Sequence, residues 1–226
     1  MNSVYFTPHV HFVKAFGYTQ GVAKVQRRER ERAEFREEVL AAARKIVLEE
    51  GFDALTMRKI ADAIEYAPGT IYLYFESRDA IAFELCLAGF AAFLTALAPA
   101  TAIADPLERL IELGRRYIAF GLEDPETYRL LFMESPKYSS AGFQERSEAP
   151  NSPGIQALAI LAGIFDELRA QKRLNSKTDS QTLAETTWAA VHGIVGLKIA
   201  NHDFPKSTAE ALLQSMFDAL IYGFVT

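Results

Sequence analysis

Hydrophobic positions recur at helical spacing through most of the chain. Around residues 35–47 the apolar side chains follow the i, i+4, i+7 period of an amphipathic helix, and Gly51 follows as a natural left-handed helix end. No segment shows the period of two that a half-buried strand requires. The pattern therefore predicts an all-α protein of about nine helices.

Residues 35–75 predict three short helices that form one unit. Thr56 stands at an N-cap position before the second helix, and Pro68 begins a third helix that runs to about Phe75. Only residues 65–67 separate the last two helices. Because so tight a link forces them to cross steeply, the segment predicts a helix-turn-helix with the front end of its third helix outward, where it can enter a major groove.

The periodicity divides the chain into three parts. Residues 1–25 have no clear period and are expected to form a loose N-terminal extension. Residues 26–82 hold the helix-turn-helix unit. Residues 83–226 form a larger helical domain that ends in two long helices, at about 179–200 and 207–223.

Charge is distributed unevenly between these parts. Residues 1–82 carry 12 Lys and Arg against 12 Asp and Glu, and residues 83–226 carry 12 against 17. The net charge of −5 therefore lies in the second part, although DNA-binding proteins are often basic. Six basic residues lie close together, either as a solvated helix start or as a phosphate-contacting arm: Lys24, Arg27, Arg28, Arg30, Arg32 and Arg36.

The sequence favours a cytoplasmic protein. Cys86 is the one cysteine, so no internal disulfide forms. The most apolar stretch, residues 80–98, is interrupted by Glu84 and Thr95, which favours a buried helix over a membrane span. Residues 1–20 lack the apolar core and cleavage site of a signal peptide.

The segments 56–63, 69–75 and 77–81 together resemble the DNA-binding domain of the TetR family of regulators. The resemblance implies that Thr70 and Tyr72 hydrogen-bond DNA phosphates and that small Gly69 lets the backbone approach. It assigns a groove-edge or phosphate contact to Arg58 and a phosphate contact to Arg78. It places Pro68 and Leu73 at exposed recognition positions. The implied DNA-binding set is Arg58, Pro68, Gly69, Thr70, Tyr72, Leu73 and Arg78.

Two residues depart from the family's pattern. Glu65 occupies the turn position where the family usually has Gly, and a left-handed backbone there costs roughly 1 kcal/mol. Leu73 replaces a residue that is often His. The third helix, residues 68–75, then contains no Arg, Lys, Asn or Gln for a bidentate base contact, so sequence recognition would depend on Arg58, thymine methyl groups and DNA shape.

The pattern Trp188-x-x-x-His192-Gly193 resembles the Trp-His-Gly motif of one TetR C-terminal subgroup. Its Trp and His are four residues apart on one helix face, so they pack together, either as a core pair or on the wall of a ligand cavity. The central helices supply further candidate wall residues that are alternatively ordinary core aromatics: Tyr117, Phe120 and Tyr128. This apolar surface suggests an apolar or aromatic effector.

The resemblance also implies a homodimer that pairs its last two helices with those of a second subunit as a four-helix bundle. Small residues would permit close approach there: Ala184, Ala189, Ala190, Gly193 and Gly196. Two-fold symmetry would place two recognition helices roughly 34–36 Å apart on a near-palindromic operator. The family default is repression that the effector relieves by favouring one conformation.

Two other classes of function remain open: a helical dimer that binds a small molecule but no DNA, and a helical enzyme. The sequence has no metal-ligand spacing, no Gly-rich phosphate loop and no nucleophile elbow, so we predict no catalytic residue, metal or cofactor. Cys86 lies among apolar neighbours and is interpreted as buried and inert, with a redox-sensing thiol as the alternative.

Because these contacts are mostly to phosphates, we expect modest sequence specificity and a steep dependence of DNA affinity on salt. Titration of labelled duplex at a series of salt concentrations measures this dependence. Binding that did not change between low and moderate ionic strength would contradict the assignment.

Overall fold

The computed structural model describes residues 11–133, 153–201 and 203–224, and it confirms the all-α class. These residues form nine α-helices and no β-strand. The helices are α1 (His11–Glu50), α2 (Met57–Ala63), α3 (Pro68–Ile71), α4 (Arg78–Leu97), α5 (Pro106–Glu123), α6 (Pro125–Phe132), α7 (Pro153–Ala170), α8 (Ser180–Ala200) and α9 (Ala209–Phe224).

Side-chain caps fix the starts of several helices. The Thr56 hydroxyl accepts a hydrogen bond from the Lys59 amide at 3.1 Å, and Ser77 accepts one from the Ala80 amide at 3.2 Å. Asp105 accepts from the Leu107 amide at 2.9 Å, just before Pro106 at the first helical position. Each cap satisfies an amide that has no partner within its own helix.

The first helix is longer than its sequence pattern indicates. It begins at His11, so residues 11–25 are helical where a loose extension was expected, and residues 1–10 lie outside the described part. The side chains of residues 25–34 are all exposed. An exposed helix needs no apolar face, so good helix formers and pairs such as Arg27 with Glu31, at 3.1 Å, replace the periodic signal.

The third helix is shorter than expected. It ends at Ile71 and not near Phe75, and residues 72–74 form turns. The Ile71 carbonyl accepts from the Tyr74 amide at 2.9 Å and from the Phe75 amide at 3.0 Å, so the last turn tightens. This tightening turns Phe75 into the core, where it is 2% exposed.

Helix α4 connects the packed head, residues 35–77, to the rest of the protein. With the turn that follows, residues 78–102, it is long and apolar enough to cross a membrane by length and composition alone. Its buried side chains, however, pack into the protein: Ile81 in the head, and Phe90 and Phe93 among the later helices. This packing is that of a core helix.

Two glycines set the spacing of the helices around α5. A Cβ atom on Gly121 would lie 2.5 Å from Val195 of α8, and one on Gly114 would lie 2.8 Å from the Phe217 ring of α9. Only a residue without a side chain allows these close approaches. Helices α8 and α9 are thereby held directly against the centre of the domain.

The turn between α2 and α3 carries a residue in a strained conformation. Glu65 has a φ of 58°, in the left-handed region that favours glycine. We predict that Glu65→Gly raises the free energy of unfolding by about 1 kcal/mol, because it removes this strain. Denaturant titration measures the change.

Two other positions serve as references for this prediction. Lys172 also has a φ of 58°, so Lys172→Gly should stabilise similarly. Glu38 is exposed inside α1, where Gly should instead destabilise by about 1 kcal/mol. Destabilisation by Glu65→Gly would show that the turn needs the glutamate side chain.

Candidate nucleic-acid interface and ligand cavity

Helix α3 and the turn after it, residues 68–73, carry five of the seven residues that the family resemblance implies for DNA binding. Tyr72 is 55% exposed and Leu73 is 74% exposed, both unusually high for large apolar side chains. Pro68 and Gly69 are also exposed, and a Cβ atom on Gly69 would meet nothing within 4 Å. Thr70 is half-buried beside them. A duplex backbone could approach this face closely.

The two arginines of the implied DNA-binding set have different surroundings. The Arg58 side chain is 87% exposed on α2, with its nearest acid, Asp62, at 3.9 Å. Arg78 turns inward: its guanidinium lies 4.8 Å from the centre of the Phe52 ring and donates to the Leu55 carbonyl at 3.4 Å. Arg58 can extend toward DNA, whereas a phosphate contact from Arg78 would break contacts that hold the head together.

Arg36 anchors the end of the recognition segment, which comprises α3 and the residues that follow it through Phe75. The sequence did not indicate this role. It donates to the Tyr74 carbonyl at 2.6 Å, pairs with Glu84 of α4, and lies 4.2 Å from the centre of the Phe75 ring. Phe35 packs against the Tyr74 ring at 4.4 Å. In the sequence, Arg36 is the last residue of a basic run. The one sign that it could face inward is its position directly after the apolar residue Phe35.

An apolar cavity lies between α4, α5, α6, α7, α8 and α9. Its volume is about 60 Å³, enough for roughly four water molecules. Its described lining is Phe90, Phe93, Leu97, Leu110, Leu113, Gly114, Tyr117, Phe132, Gly154, Ala157, Leu158, Leu161, Thr187, Trp188, Val191 and Phe217. No charged side chain occurs in this described lining.

The five aromatic residues proposed as cavity walls take three different positions. Tyr117 and Trp188 line the cavity. Tyr128 and His192 lie behind them, hydrogen-bonded to the Tyr117 hydroxyl. Phe120 faces a separate cleft between α1 and α6, although its ring packs against Phe93 at 5.2 Å.

Four polar atoms meet at one end of the cavity. The Trp188 indole N–H donates to the Tyr117 hydroxyl at 3.2 Å, and the Tyr117 and Tyr128 hydroxyls are 2.9 Å apart. The Tyr128 hydroxyl lies 2.5 Å from Nδ1 of His192. Proton donation in the order Trp188, Tyr117, Tyr128, His192 gives each hydroxyl a partner, with Nδ1 as the final acceptor.

Burial keeps this cluster uncharged. Loss of solvent raises the pKa of both Tyr117 and Tyr128 above the ordinary value for a phenol. The same cause lowers the pKa of His192, whose ring stacks on Tyr128 at 5.5 Å and packs against Trp188 at 5.3 Å. The Trp and His of the sequence motif therefore support a neutral hydrogen-bond network at the cavity.

Cys86 is fully buried, and burial raises the pKa of its thiol to about 12. Very little of this thiol is in the reactive thiolate form at neutral pH, which agrees with the inert interpretation. Across the described ranges no three His, Cys, Asp or Glu side chains group as metal ligands.

A head with an exposed helix-turn-helix, joined through α4 to a helical domain around a cavity, defines a helix-turn-helix DNA-binding regulator. Sequence profiles agree: the profile of bacterial regulatory proteins of the tetR family matches residues 39–85, and that of the tetracyclin repressor-like C-terminal domain matches residues 110–220. The chain belongs to the TetR family, whose members are DNA-binding transcription regulators. No curated protein matches it.

Solved structures of low sequence identity share the fold. A protein of unknown function from Rhodococcus sp. RHA1 is 21% identical, with a TM-score of 0.68 over 84% of this chain and 95% of that one. A putative transcriptional regulator from Saccharomonospora viridis, in complex with choline, is 19% identical, with a TM-score of 0.67 over 86% and 99%. The ketosteroid regulator KstR2 of Mycobacterium tuberculosis is 18% identical, with a TM-score of 0.60 over 84% and 95%.

The lowered pKa of His192 predicts a pH dependence of stability. The unfolded chain protonates this imidazole near its ordinary pKa of 6.5, whereas the folded chain does so only at lower pH. The free energy of unfolding should therefore fall as pH drops below about 6.5. Denaturant titrations between pH 7.5 and 5 should show a smaller fall for His192→Asn. If the variant retains the full fall, His192 is not the group responsible.

Proposed function

We propose that the protein is a homodimeric repressor that binds a near-palindromic operator and leaves it when a small apolar or aromatic effector enters the cavity. The observation that carries the DNA-binding part is the exposure of α3 and the turn after it, where Tyr72 and Leu73 are the most exposed large apolar side chains of the head. We assign phosphate contacts to Thr70 and Tyr72, close backbone approach to Gly69, and a groove-edge contact to Arg58.

The exposed faces of α8 and α9 support the dimer. Thr186, Ala189, Gly193, Leu197 and Ala200 share one side of α8, and a Cβ atom on Gly193 would meet nothing within 4 Å. Ala211, Ser215 and Ala219 form an exposed row on α9. Rows of small and apolar side chains allow helices of two subunits to approach closely. Two of the small residues noted in the sequence pack within their own subunit: Ala184 and Gly196.

The cavity suits an apolar effector but must expand to hold one. Its volume of about 60 Å³ is well below the roughly 150 Å³ of a cavity that binds benzene. An effector must therefore move the helices that form the wall. We also infer that residues 188–193 place the C-terminal domain in the Trp-His-Gly subgroup, with Trp188 as the wall residue that links the cavity to the polar cluster.

A continuous chain of contacts connects that expansion to the head. Phe132, at the end of α6, lines the cavity. Asp124, at the start of α6, caps the helix and accepts from Arg44 of α1 at 2.9 Å. An effector that displaces Phe132 would move α6 and, through this ion pair, bias the position of the head.

Selection of bound sequences from a random DNA library tests the proposed function. We expect enrichment of a two-fold symmetric site whose half-sites are about one helical turn apart. The double variant Thr70→Ala/Tyr72→Phe should bind the selected site much more weakly because it removes two phosphate contacts. The control variant Thr101→Ala, in the turn that follows α4, should bind that site as the wild type does. A folded dimer that enriches no sequence would instead be a small-molecule-binding protein.

A further inference from the structure

We infer that the exposed part of α1 is a second DNA-binding surface, in which Arg28 and Arg32 bind phosphates beside the groove that receives α3. The inference rests on the proposed DNA binding by α3. It adds a contact region that lies outside residues 39–85, the part matched by the DNA-binding profile.

Contacts with the recognition segment show which side of α1 these arginines occupy. Arg36 donates to the Tyr74 carbonyl, and the Arg32 guanidinium lies 5.7 Å from the centre of the Tyr74 ring. Arg28 is one further turn toward the N-terminus, about 6 Å along the axis and about 40° around it. Arg28 and Arg32 therefore continue a row that begins against the end of α3.

This row extends beyond the packed head. Phe35 is the first described side chain of α1 that is buried, and residues 25–34 are all exposed. Those ten residues project roughly 15 Å from the head. One and two turns earlier, Arg32 and Arg28 lie within about 40° of the mean direction in which Phe35 and Val39 face the core, and Glu31 lies about 60° from it. This face of α1 is apolar where it packs in the head and mainly basic before that. The basic part is therefore suited to a negatively charged partner.

Two of the three acidic residues of the segment flank the row. Glu31 is about 60° around the helix from Arg28 but is paired with Arg27 at 3.1 Å, and Glu29 is about 60° from Arg32. Glu34 lies away from the row, about 160° from Arg32. The row therefore presents net positive charge toward α3, although the segment as a whole is nearly balanced.

DNA phosphates are the partner that this geometry favours. Arginine forms charge-assisted, often bidentate hydrogen bonds with phosphate oxygens. Two arginines about 6 Å apart can reach one stretch of a single strand. Since such contacts carry no sequence information, they should contribute equally on any duplex.

The test compares two double variants that remove the same charge from the full-length protein. Arg28→Gln/Arg32→Gln removes the row, and Arg27→Gln/Arg30→Gln removes two arginines from the opposite side. Glutamine keeps a helix propensity similar to that of arginine, and far-ultraviolet circular dichroism verifies the helix. The probe is a random-sequence duplex, whose affinity is measured at several salt concentrations.

We expect the row variant to reduce the slope of log affinity against log salt by about 2 for each subunit that contacts the duplex, one for each lost phosphate contact, and the opposite-side variant to leave it nearly unchanged. Glu29→Gln should strengthen binding. Equal slopes for the two double variants would overturn the inference. A wild-type protein that bound no duplex would instead overturn the DNA-binding function on which it rests.

Discussion

A recognition helix of four residues cannot be stable by itself, because nucleation of a helix costs more than so few hydrogen bonds return. Its conformation depends on the anchors at its end. Ile71 and Phe75 are almost completely buried, and Arg36 holds the Tyr74 carbonyl from the neighbouring helix. The side chains between these anchors, Tyr72 and Leu73, are left facing solvent. Exposure of the proposed DNA-binding face is thus a direct result of how its two ends are fixed.

In the helical domain, too, a few specific contacts fix the position of the functional side chains. Here the contacts form one polar cluster in the apolar interior. The hydroxyls of Tyr117 and Tyr128 would be costly to bury without partners, and the Trp188 indole and the His192 imidazole supply them. The cluster fixes the position of Tyr117 at the cavity wall. It also ties α8 to α5 and to α6, the helix whose N-cap residue is paired with the head.

Local signals in the sequence were sufficient for the helix-turn-helix. Capping at Thr56 and Ser77, and the left-handed turn at Glu65, depend on a few neighbouring residues, and the structure shows each of them. The early end of α3 was missed because burial of Phe75 overrides the helical spacing. The helical start of α1 was missed because residues 11–25 have no clear apolar period.

The roles of individual side chains were harder to predict, because they depend on residues distant in sequence. Arg36 and Arg78 both occur beside exposed basic or acidic neighbours, yet they bind carbonyls of the head's own backbone. Phe120 has the helical spacing of a wall residue but faces the cleft near Arg44. No local pattern indicates which of several aromatic residues on a helix will face a cavity.

The central claim is that the end of α3 lies against duplex DNA, and proximity tests it most directly. A photo-crosslinking amino acid at position 73, where the native Leu73 is 74% exposed, should form a covalent adduct with bound duplex on irradiation. The same group at Thr101, in the turn that follows α4, should form none, because α4 is roughly 30 Å long and separates this turn from the head. Adducts of equal yield at both positions, or adducts only at position 101, would contradict the account.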